Sequence, residues 1–153
     1  MYDAKDLPCY SITLRNIPEK IIRNLQEIFP KHRIFKAING KKDIDVNDTT
    51  IIHPLTKMMI ETKQSNDSIY FPGSMGTVGC YLSHITLWKL CLKKNQPMIV
   101  CEDDVRLNNN KKKLCVRSVI KEIPEDADFV SIMYIRKSSN CKAYSPLFSR
   151  LYG

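Results

Sequence analysis

The sequence has 153 residues, with 24 Lys and Arg against 16 Asp and Glu, so its net charge is +8. Hydrophobic residues make up 43% of it, which is enough for one folded domain over 1–153 and excludes a disordered or fibrous chain. The aliphatic runs are too short to cross a bilayer, and the charged N-terminus is unlike a signal peptide. We therefore expect a cytoplasmic protein without a transmembrane segment.

The cysteines and the positive charge narrow the functional classes further. Six cysteines occur without a CxxC pair, and several lie in apolar segments, which is typical of reduced, buried thiols rather than of disulfides or a zinc site. The charge would attract phosphates of any kind, but a solvated lysine-rich surface is the favoured explanation for it. Nucleic-acid binding is supported only by this charge and by the lysines at 111–113.

The first part of the chain predicts a strand, a helix and a second strand. Residues 10–15 (YSITLR) are rich in β-forming residues, and residues 16–19 combine a capping Asn, an early Pro and an acid. Residues 33–38 predict the second strand, closed by a turn at Asn39 and Gly40. Between the strands, apolar residues recur with helical spacing until Pro30: Ile21, Leu25, Ile28 and Phe29.

A long helix is predicted to begin after Ser74 and to be packed on more than one side. One apolar face carries Val78, Leu82, Ile85 and Leu92, and an adjoining face carries Tyr81, His84, Trp88 and Cys91. Trp88 is expected in the core on this register. The preceding segment is the least readable of the chain, and within it residues 54–63 are compatible with a short helix.

The remaining elements complete an α/β pattern with a mainly parallel sheet flanked by helices and right-handed crossovers. Residues 98–101 are apolar without alternation, which predicts a central parallel strand covered on both faces. A further helix is predicted over 114–123 and a strand over 128–134, whereas 137–153 shows no clear element.

Three acids follow the apolar strand: Glu102, Asp103 and Asp104. They stand at its carboxyl end, where open α/β sheets bind ligands. If the backbone stays extended, Glu102 and Asp104 point to one side and Asp103 to the other. Two converging carboxylates favour either a proton or a divalent cation between them, and oxygen ligands suit Mg²⁺ or Mn²⁺. The alternative is a solvated acidic loop, paired with Arg106.

The residues around the three acids favour the metal-site interpretation over the solvated loop. Residues 76–107 closely resemble the signature region of glycosyltransferase family 25, the lipopolysaccharide and collagen galactosyltransferase type. ITLRN at 12–16 and FKAING at 35–40 resemble its first two strand motifs, so the resemblance covers roughly residues 10–135. The matched positions of the signature are Gly76, Gly79, Cys80, Ser83, His84, Trp88, Glu102, Asp103 and Asp104.

The resemblance implies a GT-A-like, Rossmann-like fold that binds a nucleotide sugar, usually a UDP-hexose, with Mn²⁺ against its diphosphate. On this basis Asp104 would be a direct metal ligand, Glu102 a second ligand or a ribose contact, and Asp103 a supporting residue. Ser83 and His84 would face the donor, although His84 could equally be a core-edge histidine bonded to the backbone, and Cys80 would only pack. The nucleotide would be lined by Leu14, Arg15, Asn16, Ala37, Asn39 and Gly40.

Catalytic members of this family are longer, so we expect the C-terminal acceptor half to be absent, and no catalytic base can be identified. Three hypotheses follow. The chain transfers galactose or glucose from a UDP-sugar to a glycan or protein-linked acceptor; or it is a non-catalytic UDP-sugar-binding relic or subunit; or, with least support, it is a basic nucleic-acid-binding module.

Overall fold

The computed structural model describes residues 2–62, 73–105, 110–124, 127–128, 130, 143–145 and 148–149, with side chains left undescribed at 110–115 and in the last two segments. The chain forms two compact units. The first comprises Met1–Leu7, Glu19–Lys31 and Arg106–Gly153, and the second comprises Pro8–Pro18 and His32–Val105. The elements in chain order are β1 (Cys9–Thr13), α1 (Glu19–Gln26), β2 (His32–Lys36), α2 (Gly40–Asp43), α3 (Pro54–Thr62), α4 (Met75–Lys94), β3 (Ile99–Glu102), α5 (Asn110–Lys121), β4 (Ala143–Ser145) and β5 (Phe148–Ser149).

The second unit contains a three-stranded parallel sheet of order β2-β1-β3, which confirms the predicted α/β class. In the register of β1, Cys9 lies opposite His32 of β2 and Ile99 of β3, and Ile12 lies opposite Glu102. Because all three strands run the same way, their carboxyl ends meet at one edge of the sheet.

Within the described sheet the central strand is β1 and β3 lies at its edge, so residues 98–101 do not form the predicted central strand of that sheet. All five residues of β1 are buried, whereas in β3 Ile99, Val100 and Cys101 are half-buried and Glu102 is exposed. β1 contains two polar residues, Ser11 and Thr13, and both are buried. A buried hydroxyl is tolerated only where it is hydrogen-bonded. Ser11 is such a case: its Oγ lies 2.8 Å from His32 Nε2 of the neighbouring strand.

Helix α4 begins as predicted, because the Ser74 side chain accepts a hydrogen bond from the N–H of Thr77. It ends at Lys94, and the left-handed conformation of the capping residue Asn95 (φ 45°) lets the N–H of Gln96 reach the carbonyl oxygen of Cys91. Leu87 is fully buried and packs in a core with Tyr10, Ile12 and Ala37. This core anchors the helix to the sheet.

The predicted apolar faces of α4 are confirmed only in part: Val78 is buried, and Leu82 and Ile85 are half-buried. Leu92 is 79% exposed and Trp88 43% exposed, so Trp88 is not a core residue. The buried stripe contains Gly79, Ser83 and Leu87, at spacings of four residues. Hydrophobic periodicity misses it because two of its three members are small rather than apolar.

A close crossing of α2 and α4 explains those small residues. A Cβ atom at Gly40 would overlap the carbonyl oxygen of Met75, and one at Gly79 would overlap the carbonyl oxygen of Ile38. Asn39 does not form the predicted turn with Gly40: its side chain caps α2 by accepting a hydrogen bond from the N–H of Lys41. The predicted helix at 54–63 is confirmed as α3.

The first unit contains α1, α5 and the antiparallel pair β4–β5. The predicted stripe of α1 is confirmed at Leu25, with Ile28 and Phe29 buried just beyond the helix. The predicted helix near 114–123 is confirmed as α5, which buries Val119 and Ile120.

Two predictions concern the C-terminal part. The described strands β4 and β5 lie within 137–153, which was expected to be irregular. Of the predicted strand 128–134, Asp128 and Val130 are not in a strand, and the other positions lie outside the described residues. Among the helices that the structure describes, none is both long and apolar enough to cross a membrane.

Candidate active site

The carboxyl edge of the sheet gathers most of the predicted site residues. Leu14, Arg15 and Asn16 follow β1, and all three are exposed, Leu14 by 61%. Glu102, Asp103 and Asp104 end or follow β3. The residues after β2 are more enclosed: Ala37 and Gly40 are buried and Asn39 is half-buried.

Arg15 and Asp103 join the ends of β1 and β3 at this edge. Arg15 donates from Nε to Asp103 Oδ2 at 2.8 Å and from Nη2 to Oδ1 at 3.2 Å. The Arg15 side chain is 74% exposed, whereas the Asp103 side chain is 22% exposed. The hydrogen bonds and charge of Asp103, with a smaller contribution from Asp104, raise the pKa of Arg15. A cationic group is thus held at a fixed place on the surface.

Thr13, the last residue of β1, completes this contact. Its hydroxyl accepts the Arg15 backbone N–H at 3.0 Å and lies 3.0 Å from Asp103 Oδ2 and 2.8 Å from the Arg15 carbonyl oxygen. One hydroxyl proton serves one of these two acceptors at a time. Thr13 was not singled out from the sequence, where it reads as an ordinary strand residue.

The backbone turns directly after β3, so the extended conformation on which the expected convergence of Glu102 and Asp104 depended is not present. Asp103 and Asp104 lie in a turn, in which the N–H of Val105 bonds to the carbonyl oxygen of Glu102 at 3.3 Å. The two-residue alternation of a strand therefore does not apply beyond Glu102. The three acids diverge: Asp103 contacts Arg15, Glu102 faces α4, and Asp104 is exposed.

Glu102 lies beside His84 and Cys80. Its Oε1 is 3.4 Å from His84 Nε2, and the ligand atoms of the three side chains all lie within 4.8 Å of one another. His84 thus has a side-chain neighbour at this edge. Cys80 is exposed rather than packed in the core, and burial together with the charge of Glu102 raises its pKa. The four-residue spacing of Cys80 and His84 on a helix was the available sequence signal.

Ser83 is fully buried and positions α4 against the end of β2. Its hydroxyl donates to the carbonyl oxygen of Gly79 at 2.7 Å and accepts the N–H of Ile38 at 2.8 Å. The hydroxyl therefore serves the backbone on both sides, and its predicted contact with a donor stays a prediction.

The elements of this edge lie within the region that a protein-family model matches. The model of glycosyltransferase family 25, described as an LPS biosynthesis protein family, matches residues 8–144, which is most of the chain. The chain belongs to glycosyltransferase family 25. No curated protein and no solved structure matches it. The family match includes β1, β2, α4 and β3, and hence every predicted site residue.

The predicted nucleotide-sugar site at this edge stays a prediction, and its charged residues are Arg15 and the three acids. Carboxylate oxygens are the ligands that Mn²⁺ and Mg²⁺ prefer, and exposed Asp104 is open to such an ion. Asp103 is engaged by Arg15 and Thr13, which suits its predicted supporting role. Glu102 is directed to a histidine and a thiol, a mixed ligand set that differs from the predicted pair of carboxylates.

Proposed function

We propose that this member of glycosyltransferase family 25 transfers a hexose, galactose or glucose, from a UDP-sugar to a glycan or protein-linked acceptor in a metal-dependent reaction. The observation that carries the proposal is the Arg15–Asp103 contact at the carboxyl ends of adjacent parallel strands. Ligands of α/β sheets bind at this edge, and a fixed guanidinium there recognises phosphate oxygens.

The chemistry of the transfer explains why a cation and an arginine would be needed together. Breaking the bond between sugar and phosphate leaves a nucleoside diphosphate with additional negative charge. A guanidinium that is already held in one orientation can stabilise that charge without reorganising. In this chain Asp103 and Thr13 hold Arg15 in place. Mn²⁺ or Mg²⁺, when bound at Asp104, would supply Lewis-acid stabilisation of the same leaving group.

The remaining predicted residues would bind the nucleoside. Leu14 presents an apolar, 61% exposed side chain directly before Arg15, and Asn16 presents an amide directly after it. An apolar surface with adjacent hydrogen-bonding groups suits a base and a ribose. Ala37 and Gly40 would contribute through the shape of the backbone at the end of β2, because their side chains are small and buried.

The test measures UDP binding and UDP-sugar turnover with and without Mn²⁺. Asp104→Asn removes the carboxylate charge at nearly constant size, and we expect it to abolish the Mn²⁺-dependent part of both. Glu61→Gln is the matched control, because Glu61 is an exposed acid on α3. Full Mn²⁺-dependent activity in Asp104→Asn would refute the proposal.

Two other outcomes of binding and turnover measurements would favour the alternative functions. If UDP binds with Mn²⁺ but neither hydrolysis nor transfer is detected, the chain is a non-catalytic UDP-sugar-binding relic or subunit. If nucleic acid binds with a steep salt dependence and UDP does not bind, the basic-module hypothesis replaces both.

A further inference from the structure

The side chains of Cys80, His84 and Glu102 bring a sulfur, a nitrogen and an oxygen ligand together. Cys80 and His84 are one turn apart on α4, and Glu102 is the last residue of β3. Their ligand atoms lie within 4.8 Å of one another. Two of the three are placed on one helix, and the third comes from the adjacent strand end, so the fold itself holds the set together.

One of the three distances already matches the value that a tetrahedrally coordinated ion requires. Two ligand atoms, each about 2.1 Å from the ion, lie about 3.4 Å apart at the tetrahedral angle. His84 Nε2 and Glu102 Oε1 are 3.4 Å apart. The thiol needs to approach to about 3.6 Å from the other two atoms, which a change of side-chain torsion at exposed Cys80 can provide.

The ligand types indicate which ions would bind. Thiolate and imidazole prefer borderline and soft cations, with Zn²⁺ foremost, whereas Mn²⁺ and Mg²⁺ prefer oxygen. Three protein ligands at a partly exposed place leave a fourth position for water or substrate.

We propose that Cys80, His84 and Glu102 form a binding site for a thiophilic divalent cation such as Zn²⁺, separate from the carboxylate of Asp104. The proposal rests on the geometry of the three side chains and does not depend on the glycosyl transfer proposed above. It assigns Glu102 to the ligand set of α4 rather than to a shared site with Asp104.

Co²⁺ is the probe, because a Co²⁺–thiolate bond produces a near-ultraviolet charge-transfer band that oxygen and nitrogen ligands do not. Trp88 is the only tryptophan of the chain, and its ring centroid lies 6.2 Å from that of His84. A paramagnetic ion bound to His84 should therefore quench the tryptophan fluorescence. The charge-transfer band reports on the thiolate of Cys80, and the fluorescence quenching reports on an ion bound at His84.

We expect the complete chain to bind Co²⁺ with both signals and to release it to Zn²⁺. Cys80→Ser should lose the charge-transfer band, and His84→Gln should weaken binding by roughly tenfold or more, since even outer-shell partners of metal ligands contribute that much. Cys91→Ser is the matched control: the thiol is on the same helix, about 16 Å along its axis from Cys80, and donates to the Gln96 carbonyl oxygen.

The proposal is overturned if wild-type protein shows no band, if the band persists in Cys80→Ser, or if Cys91→Ser removes it. Both signals are recorded without UDP-sugar. They can therefore fail while Asp104→Asn still abolishes Mn²⁺-dependent turnover, and the reverse outcome is equally distinguishable.

Discussion

Arg15 and Asp103 are 88 positions apart in the sequence, and two N–H···O hydrogen bonds of 2.8 and 3.2 Å join their side chains. The contact forms because β1 and β3 are neighbours in a parallel sheet and both residues follow the last paired positions. Its geometry is bidentate, so the carboxylate fixes both the position and the plane of the guanidinium.

Arg15→Lys should weaken UDP-sugar binding by about tenfold, because an ammonium group cannot make a bidentate contact with a carboxylate or a phosphate. The midpoint of urea unfolding should not change, since the Arg15 side chain is 74% exposed. Arg33→Lys serves as the control, because Arg33 is an exposed arginine of β2. Calorimetric titration measures the affinity, and equal affinities for Arg15→Lys and wild type would contradict the prediction.

Gly79→Ala should lower the free energy of unfolding by about 2 kcal/mol, because the new Cβ would overlap the carbonyl oxygen of Ile38, which is backbone and cannot move aside alone. Gly76→Ala is the matched control on the same helix. Its Cβ would meet only Ser74 Oγ at 3.6 Å, so the better helix propensity of alanine should leave stability unchanged or raised by up to about 1 kcal/mol. Urea unfolding distinguishes the two, and equal effects would count against the close crossing.

Ser83→Ala should cost about 1–3 kcal/mol of unfolding free energy, because the N–H of Ile38 loses its acceptor beside a fully buried residue. Thr86→Ala removes a similar bond to a carbonyl four residues earlier, but Thr86 is exposed. That control should change stability by less than about 0.5 kcal/mol. If Ser83→Ala is as mild as the control, the hydroxyl does not hold α4 to the strand end.

The stability of the chain should fall below pH 6.5 because of His32. Burial lowers the pKa of His32 from its ordinary value of 6.5, so the unfolded chain takes up a proton first as the pH decreases. The stabilisation that neutral His32 contributes is complete above pH 6.5. It is lost progressively as the pH falls from 6.5 to the lowered pKa of His32 in the folded chain. His32→Gln should reduce this loss in urea unfolding at successive pH values, whereas His53→Gln, at an exposed position, should retain it. An unchanged pH profile in His32→Gln would refute the assignment.

Several elements could be predicted because their signals are local. Ser74 caps α4, Pro54 opens α3, and the apolar stripe that starts in α1 is buried at Leu25 and, just beyond the helix, at Ile28 and Phe29. Each depends on residues within one or two turns. The candidate site was located for a similar reason: a run of acids after an apolar strand marks a carboxyl end, and the family signature adds Ser83 and His84 to it.

The burial of particular side chains could not be predicted in the same way. Thr13 and Ser11 are polar, as residues of a half-exposed strand would be. Both are buried, and their hydroxyls are hydrogen-bonded to side chains from the neighbouring strand and strand end. Trp88 looked like a core residue by its register, yet Gly79 and Ser83 provide the buried face of α4. Polar partners and small residues at close crossings carry no apolar signal, so periodicity missed this face.

The sequence by itself determined that this chain is an α/β member of glycosyltransferase family 25 with three acids at a strand end, because helix caps, apolar runs and motif spacing are written in neighbouring residues. Only the tertiary structure decided which acid meets which partner. The backbone turns at Asp103, and this turn sends Asp103 to Arg15 and leaves Glu102 beside Cys80 and His84. Such pairings depend on the directions in which side chains from separate elements point. Strand register and helix packing set these directions, and no local sequence pattern contains them.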